Sequence, residues 1–217
     1  MTNQELFSYV DHTLLKPEAT PEQIAVLCAE AAEHGTASVC VNGSYVPLAK
    51  KLLDGKAKVC AVIGFPLGAM STAAKAFEAA EAVRDGADEI DMVIHIGQLK
   101  AGNTDYVLED IKAVKAAIGD HVLKVIIETC LLTEEEKITM CRIVTESGAE
   151  YIKPSTGFST GGATFDDVRL FAEHVGEGVK IKAAGGIRSR EDMEQFLQLG
   201  ASRLGTSSAV KILCGKN

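Results

Sequence analysis

The 217-residue chain contains no run of 18 or more apolar residues, so nothing in it reads as a membrane-spanning helix. Its opening, MTNQELFSYV, has neither the basic start nor the apolar core of a secretory leader, and the expected compartment is the cytosol. No cluster of Lys or Arg stands out, and the formal net charge is −8. That balance argues against a nucleic-acid partner, although a local pocket can be positive inside an acidic protein. The six cysteines form no C-x-x-C pair and read as reduced thiols, mostly core filler. No H-x-H or H-E-x-x-H spacing offers a zinc site. There is no low-complexity tract and no linker. With 47% hydrophobic residues, residues 1–217 are expected to fill a single core.

What is present is a repeat. A glycine closes a helical stretch and an apolar, β-rich run follows: EHGTASVCVN, DGKAKVCAVIGF, RDGADEIDMVIHIG, IGDHVLKVIIET, ESGAEYIKPS, GEGVKIKAAGG and LGASRLGTSS. Glycine ends helices because it adopts positive φ cheaply. Helix starts follow the runs. Thr20-Pro21-Glu22-Gln23 and Thr133 to Glu136 read as capping boxes, and Ser189 with Asp192 as a weaker one. With YVDHTLL as an opening strand, eight strands alternate with helices. Nearly continuous apolar strands imply a parallel sheet covered on both faces. The fold class expected is α/β, a single-domain (β/α)8 barrel with TNQELFS as a short helix across its bottom. A doubly wound open sheet fits less well, because no G-x-G-x-x-G follows the first strand.

Active sites of such barrels lie at the C-terminal ends of the strands. The polar residues there are Asp11, Thr13, Asn42, Asp91, His95, Lys124, Glu128, Lys153, Ser155, Lys182, Ser207 and Ser208. Side chains alternate between barrel interior and helix layer. Lys153 therefore shares a face with Tyr151 and Ser155, Asp91 with Glu89 and His95, and Lys124 with Glu128. Lysines on three consecutive strands, all facing one interior, are unusual, because lysine is almost never buried unless paired. They fit a site that wants positive charge, or one neutral amine held beside cations. A free lysine with a pKa of about 10.4 is almost wholly protonated at pH 7. Burial and a neighbouring ammonium both favour the neutral, nucleophilic form. Lys182 is placed to supply that ammonium to Lys153. Asp91 is placed to move protons through water, or to serve as counter-ion to Lys124 or Lys182. The glycine and serine clusters STGFSTGG, AAGGIRS and GTSS follow three neighbouring strands. The N–H groups of Gly185, Gly186, Ser207 and Ser208 are candidates to cradle an anion, the alternative being tight turns alone.

The segments DHTLLKP, SVCVN, AVIGFPLG, EIDMVI, KVIIETCLL, YIKPSTGF, VKIKAAGGI and GTSSAV, which run from Asp11 to Val210, resemble the deoxyribose-phosphate aldolase family. The resemblance implies a class I aldolase working without metal or cofactor. Such an enzyme reversibly cleaves 2-deoxyribose 5-phosphate to glyceraldehyde 3-phosphate and acetaldehyde. By motif, Lys153 corresponds to the Schiff-base lysine, Lys182 to its pKa-lowering neighbour and Asp91 to the proton-relay carboxylate. Asp11, Thr13, Lys124 and Thr156 are assigned to substrate binding, and Gly157, Gly185, Gly186, Ser207 and Ser208 to the phosphate. Cys40 falls on a site-lining strand in a position that is not catalytic in the family. The partners implied are small phosphosugars and aldehydes, and a second copy of the chain in a dimer.

Two departures stand out. Pro154 replaces the family's usual threonine after the nucleophile, which removes a ladder N–H but leaves the inward face untouched. His95 stands where asparagine is common, and is expected at the mouth of the site as a pH-sensitive group. Two other readings remain at this level: a metal-dependent aldolase or isomerase using Asp11, Asp91, Glu128 and His95, and a phosphosugar sensor whose lysines only contact anions.

Overall fold

The computed structural model describes residues 1–215. Eight parallel strands close into a barrel in sequence order. They are β1 (Val10–Leu14), β2 (Ser38–Asn42), β3 (Lys58–Ile63), β4 (Glu89–Val93), β5 (Val122–Ile126), β6 (Tyr151–Lys153), β7 (Lys180–Ala184) and β8 (Ala201–Thr206). The helices are α1 (Asn3–Phe7), α2 (Pro21–His34), α3 (Val46–Leu53), α4 (Thr72–Arg84), α5 (Ile96–Lys100), α6 (Thr104–Ile118), α7 (Glu134–Ser147), α8 (Phe165–His174), α9 (Arg190–Gln198) and α10 (Ala209–Cys214). This is the (β/α)8 barrel that the repeat implies.

The start signals form as local chemistry dictates. Thr20 and Thr133 make reciprocal capping boxes with Gln23 and Glu136, and Ser189 makes an equally complete one with Asp192. The stop signals are less uniform. Gly35 and Gly148 end α2 and α7 in the left-handed region, but at the end of α3 the cap is Asp54, with Gly55 following it at φ 80°. Two helices rather than one join β4 to β5, because His95 starts a short extra turn. Helix α1 closes the N-terminal face. Phe7 stacks on His34 with ring centroids 4.5 Å apart, and Asn3 donates to the Leu213 carbonyl.

The strand alternation divides the molecule in two. Val39, Val41, Val59, Ala61, Ile63, Ile90, Met92, Leu123, Val125 and Ile152 point outward and join the helices in one continuous apolar core. The other face of the same strands is polar. Asp11, Ser38, Glu89, Asp91, Lys124, Lys153, Lys182 and Arg203 are all buried there. Barrel interiors of this class are usually filled by branched aliphatic residues. Here most of the hydrophobic stabilisation comes from the layer between barrel and helices, and the interior holds charge beside a small apolar cluster of Leu15, Cys40, Cys60 and Val62.

Candidate active site

Each inward charge is placed by strand register. Asp91 pairs across the ladder with Lys124, and Lys153 with Ile126, two residues further along β5. Asp91 is the common partner of the three lysines. Its Oδ2 accepts from Lys153 Nζ and Lys182 Nζ, each at 2.7 Å. Its Oδ1 accepts from Lys124 Nζ at 2.9 Å and from the Cys60 thiol at 3.1 Å. Deeper in the barrel, Lys182 lies 2.5 Å from Asp11 Oδ2, and Lys124 lies 2.6 Å from Glu89 Oε2. Arg203 bridges Asp11 and Glu89. Ser38 donates to Asp11.

Charge is costly in such a place unless it is paired. Burial alone pushes the Asp91 carboxyl up, but Lys124, Lys153 and Lys182 together hold it well below the usual carboxylate range. Asp11 and Glu89 are likewise held down against burial, Asp11 chiefly by Lys182 and Glu89 chiefly by Lys124. Burial opposes the ammonium of Lys182, yet Asp11 and Asp91 raise its proton affinity above the ordinary lysine value. Lys124 is raised in the same way, chiefly by Asp91, and Arg203 chiefly by Asp11. Three carboxylates therefore face three firmly held cations, with Lys153 as the additional amine. Lys58 also reaches Glu89, from the exposed side at 3.2 Å.

Above this network lies a cavity of about 490 Å³ at the C-terminal end of the strands. Lys153 lines it, together with Thr13, Thr156, Gly157, Gly185, Gly186, Ser207 and Ser208. The structure thus brings the glycine and serine clusters and two lysines, Lys16 and Lys153, around a single opening. Asp11, Asp91, Lys124 and Lys182 sit in the buried network below. Asp11 and Lys124 touch other side chains of the interior rather than the opening. Not every rim N–H is available, because Gly157 donates to Ser155 Oγ and Ser208 donates to Thr206 Oγ1. Gly162 packs so tightly on the β7 loop that an added Cβ would lie 2.6 Å from the Gly185 carbonyl carbon.

The departures find physical explanations. Pro154 falls just beyond β6, and its carbonyl still accepts from Thr129 N at 2.8 Å. His95 does not stand at the mouth. It caps α5, its Nδ1 accepting from Gln98 N, with its ring edge-on to Tyr106. Sequence reasoning passed over Arg203 and Cys60, although strand alternation puts Arg203 on the face of Gly205 and Cys60 on that of Val62. It also passed over Lys16, Phe158 and Arg188, which line the cavity. Cys40, Cys60 and Asp91 bring ligand-type atoms within 4.8 Å of one another. Lys124 already donates to both Cys60 and Asp91, so a divalent cation there would have to displace an ammonium.

A parallel barrel in which the buried Lys153 amine lines an open cavity, above a carboxylate shared by three lysines, defines an enzyme that works on a small polar substrate with amine and acid–base chemistry. The model of the DeoC/LacD family of aldolases matches residues 6–217. A deoxyribose-phosphate aldolase of Clostridioides difficile (strain 630) is 56% identical over 210 residues, covering 97% of this chain and 96% of that one. One of Streptococcus suis (strain 98HAH33) is 58% identical over 212 residues, with 97% and 96% covered. Among solved structures, the aldolase QR15 superposes with a TM-score of 0.94 at 41% identity, covering 97% and 95%. The tetrameric deoxyribose phosphate aldolase of Aeropyrum pernix gives 0.89 at 32% identity, covering 99% and 92%. The chain belongs to the DeoC/LacD family of aldolases.

Proposed function

We propose that this aldolase reversibly cleaves 2-deoxy-D-ribose 5-phosphate to D-glyceraldehyde 3-phosphate and acetaldehyde, through a Schiff base on Lys153. The observation that carries the reading is that Lys153 alone, among the lysines gathered on Asp91, also lines the cavity. The names of the curated relatives support the substrate. The contact supports the role of the amine: Asp91 Oδ2, 2.7 Å from Lys153 Nζ, is a proton acceptor set directly beside it.

The neutral amine attacks the C1 aldehyde of the open-chain sugar, and loss of water leaves an iminium. The C3 hydroxyl loses its proton, the C2–C3 bond breaks, and its electron pair flows into the iminium to give an enamine. Glyceraldehyde 3-phosphate departs. Protonation at C2 and hydrolysis release acetaldehyde and regenerate the amine. Asp91, through water, exchanges protons with these centres, and Lys182 keeps the local field positive beside the reacting nitrogen. The N–H groups of Gly185, Gly186 and Ser207 face the phosphate. Asp11 and Lys124 act as charge partners beneath the site, while Thr13 meets the sugar hydroxyls and Thr156, its hydroxyl taken up by Glu128 and Phe158 N, shapes the wall beside them. No helix among the described residues is long and apolar enough to cross a membrane, consistent with a cytoplasmic enzyme. A homodimer is the assembly proposed, to be read by sedimentation.

The direct test is cleavage of 2-deoxyribose 5-phosphate by the wild type and by Lys153→Ala and Lys153→Arg. Arginine keeps a charge but offers no nucleophilic amine, so both variants are expected at the blank. Activity of either within about tenfold of the wild type, an effect of only ~1.4 kcal/mol, would remove Lys153 from the chemistry.

A further inference from the structure

The chain just past β5 holds an unusual residue. Ile127 N donates to the Lys153 carbonyl and Thr129 N to the Pro154 carbonyl. Between them Glu128 turns into the left-handed region, with φ 55° and ψ 64°. A glycine adopts that conformation freely, whereas a longer residue keeps it only when the surroundings enforce it, which makes it a pointer to function. The side chain is buried, 2% exposed. The turn swings its carboxylate onto the segment that follows Lys153. One oxygen accepts from Thr156 N at 3.1 Å, the other from Thr156 Oγ1 at 2.5 Å. Thr156 Oγ1 accepts in turn from Phe158 N at 3.0 Å. Thr156, Gly157 and Phe158 form the cavity wall beside Lys153.

We propose that Glu128 is a positioning residue: its two carboxylate oxygens hold the Thr156–Phe158 wall in the shape that receives the phosphorylated end of the substrate. The proposal rests on the phosphosugar reading above. Two acceptors are needed, because Thr156 presents two hydrogens, one on nitrogen and one on oxygen. A glutamine offers a single acceptor. Its amide can donate to Thr156 Oγ1 instead, but the threonine hydrogen is then stranded in a buried place. The strained backbone and the paired oxygens thus serve one purpose, which is to fix a loop that has no regular secondary structure of its own.

The test is a double-mutant cycle in the full enzyme, with Glu128→Gln, Thr156→Val and the combined variant. Readouts are kcat and KM for 2-deoxyribose 5-phosphate, the rate of borohydride trapping with acetaldehyde, and melting temperature. Each single change is expected to raise KM about tenfold, the effect of one unmade hydrogen bond to a charged group. In Glu128→Gln, kcat and acetaldehyde trapping should stay within about threefold, since a two-carbon aldehyde lacks the phosphorylated end that this wall receives. The double variant should be no worse than either single one. Glu128→Gly, which relieves the backbone but removes the oxygens, should raise KM alike. An unchanged KM in Glu128→Gln, or effects that multiply in the double variant, would overturn the positioning role while leaving the aldolase reading intact. Failure of the wild type to cleave 2-deoxyribose 5-phosphate would overturn both.

Discussion

Replacing Lys182 by methionine keeps most of the length of the side chain and removes one charge from the buried cluster. Lys153 Nζ and Lys182 Nζ each lie 2.7 Å from Asp91 Oδ2. The two nitrogens are therefore no more than about 5 Å apart, and at an effective dielectric of about 20 two ammonium groups at that spacing repel by at least about 3 kcal/mol, or about 2 pH units. In the wild type that repulsion favours the uncharged Lys153. In Lys182→Met it is gone, and three carboxylates then face only Lys124 and Arg203 as firmly held cations. A proton on Lys153 restores the balance. The acid limb of the rate profile should thus move up by about 2 pH units, so that the rate falls by about a hundredfold on the acid side of both limbs. The rate should recover at alkaline pH. The assay is the initial rate of 2-deoxyribose 5-phosphate cleavage from pH 5 to pH 10, with melting temperature recorded at each point. A profile that keeps its shape and falls equally at every pH would refute this reasoning, and would make Lys182 a structural partner of Asp11 alone.

Stability should follow the depressed carboxyls. Asp11, Glu89 and Asp91 are all held below their unfolded values, so their contribution is complete above about pH 5 and is lost as the pH falls through the carboxyl range. The raised Lys124, Lys182 and Arg203 lose nothing on that side of neutrality. Urea unfolding at pH 3 should show at least about 3 kcal/mol less stability than at pH 7, and equal values would contradict the ion network. Thiol labelling makes a separate point. Cys130 and Cys214 are exposed and the other four cysteines are buried, with burial pushing Cys28 up to about 11 and Cys141 up to about 12. A native sample should label at Cys130 and Cys214 quickly and at the rest only in denaturant. Fast labelling of Cys40 or Cys60 would mean that the interior opens.

The barrel was legible because its signals are local and repeated: capping boxes at Thr20, Thr133 and Ser189 each begin a helix, and each apolar run becomes a strand. The lysine row was legible for a different reason, since a lysine within a buried strand has few explanations. What could not be read were contacts fixed by close packing between distant segments. Glu128 appears in the sequence as one more polar residue at a strand end. Only its left-handed backbone and its reach to Thr156 reveal what it holds. His95 was misplaced because strand alternation was carried past Val93, where β4 ends and a helix cap begins. Lys124 was read as facing the interior, as it does, and Asp11 as a strand-end residue; which layer each occupies depends on register, and that emerges only when all eight strands close.

The central claim is that Lys153 is the amine that reacts. Incubating the protein with acetaldehyde and sodium borohydride, then taking intact and peptide mass spectra, tests it most directly. The account predicts one ethyl group on Lys153, absent from Lys153→Ala. An ethyl group on Lys182 with Lys153 unmodified, or no adduct on a folded, active enzyme, would contradict it.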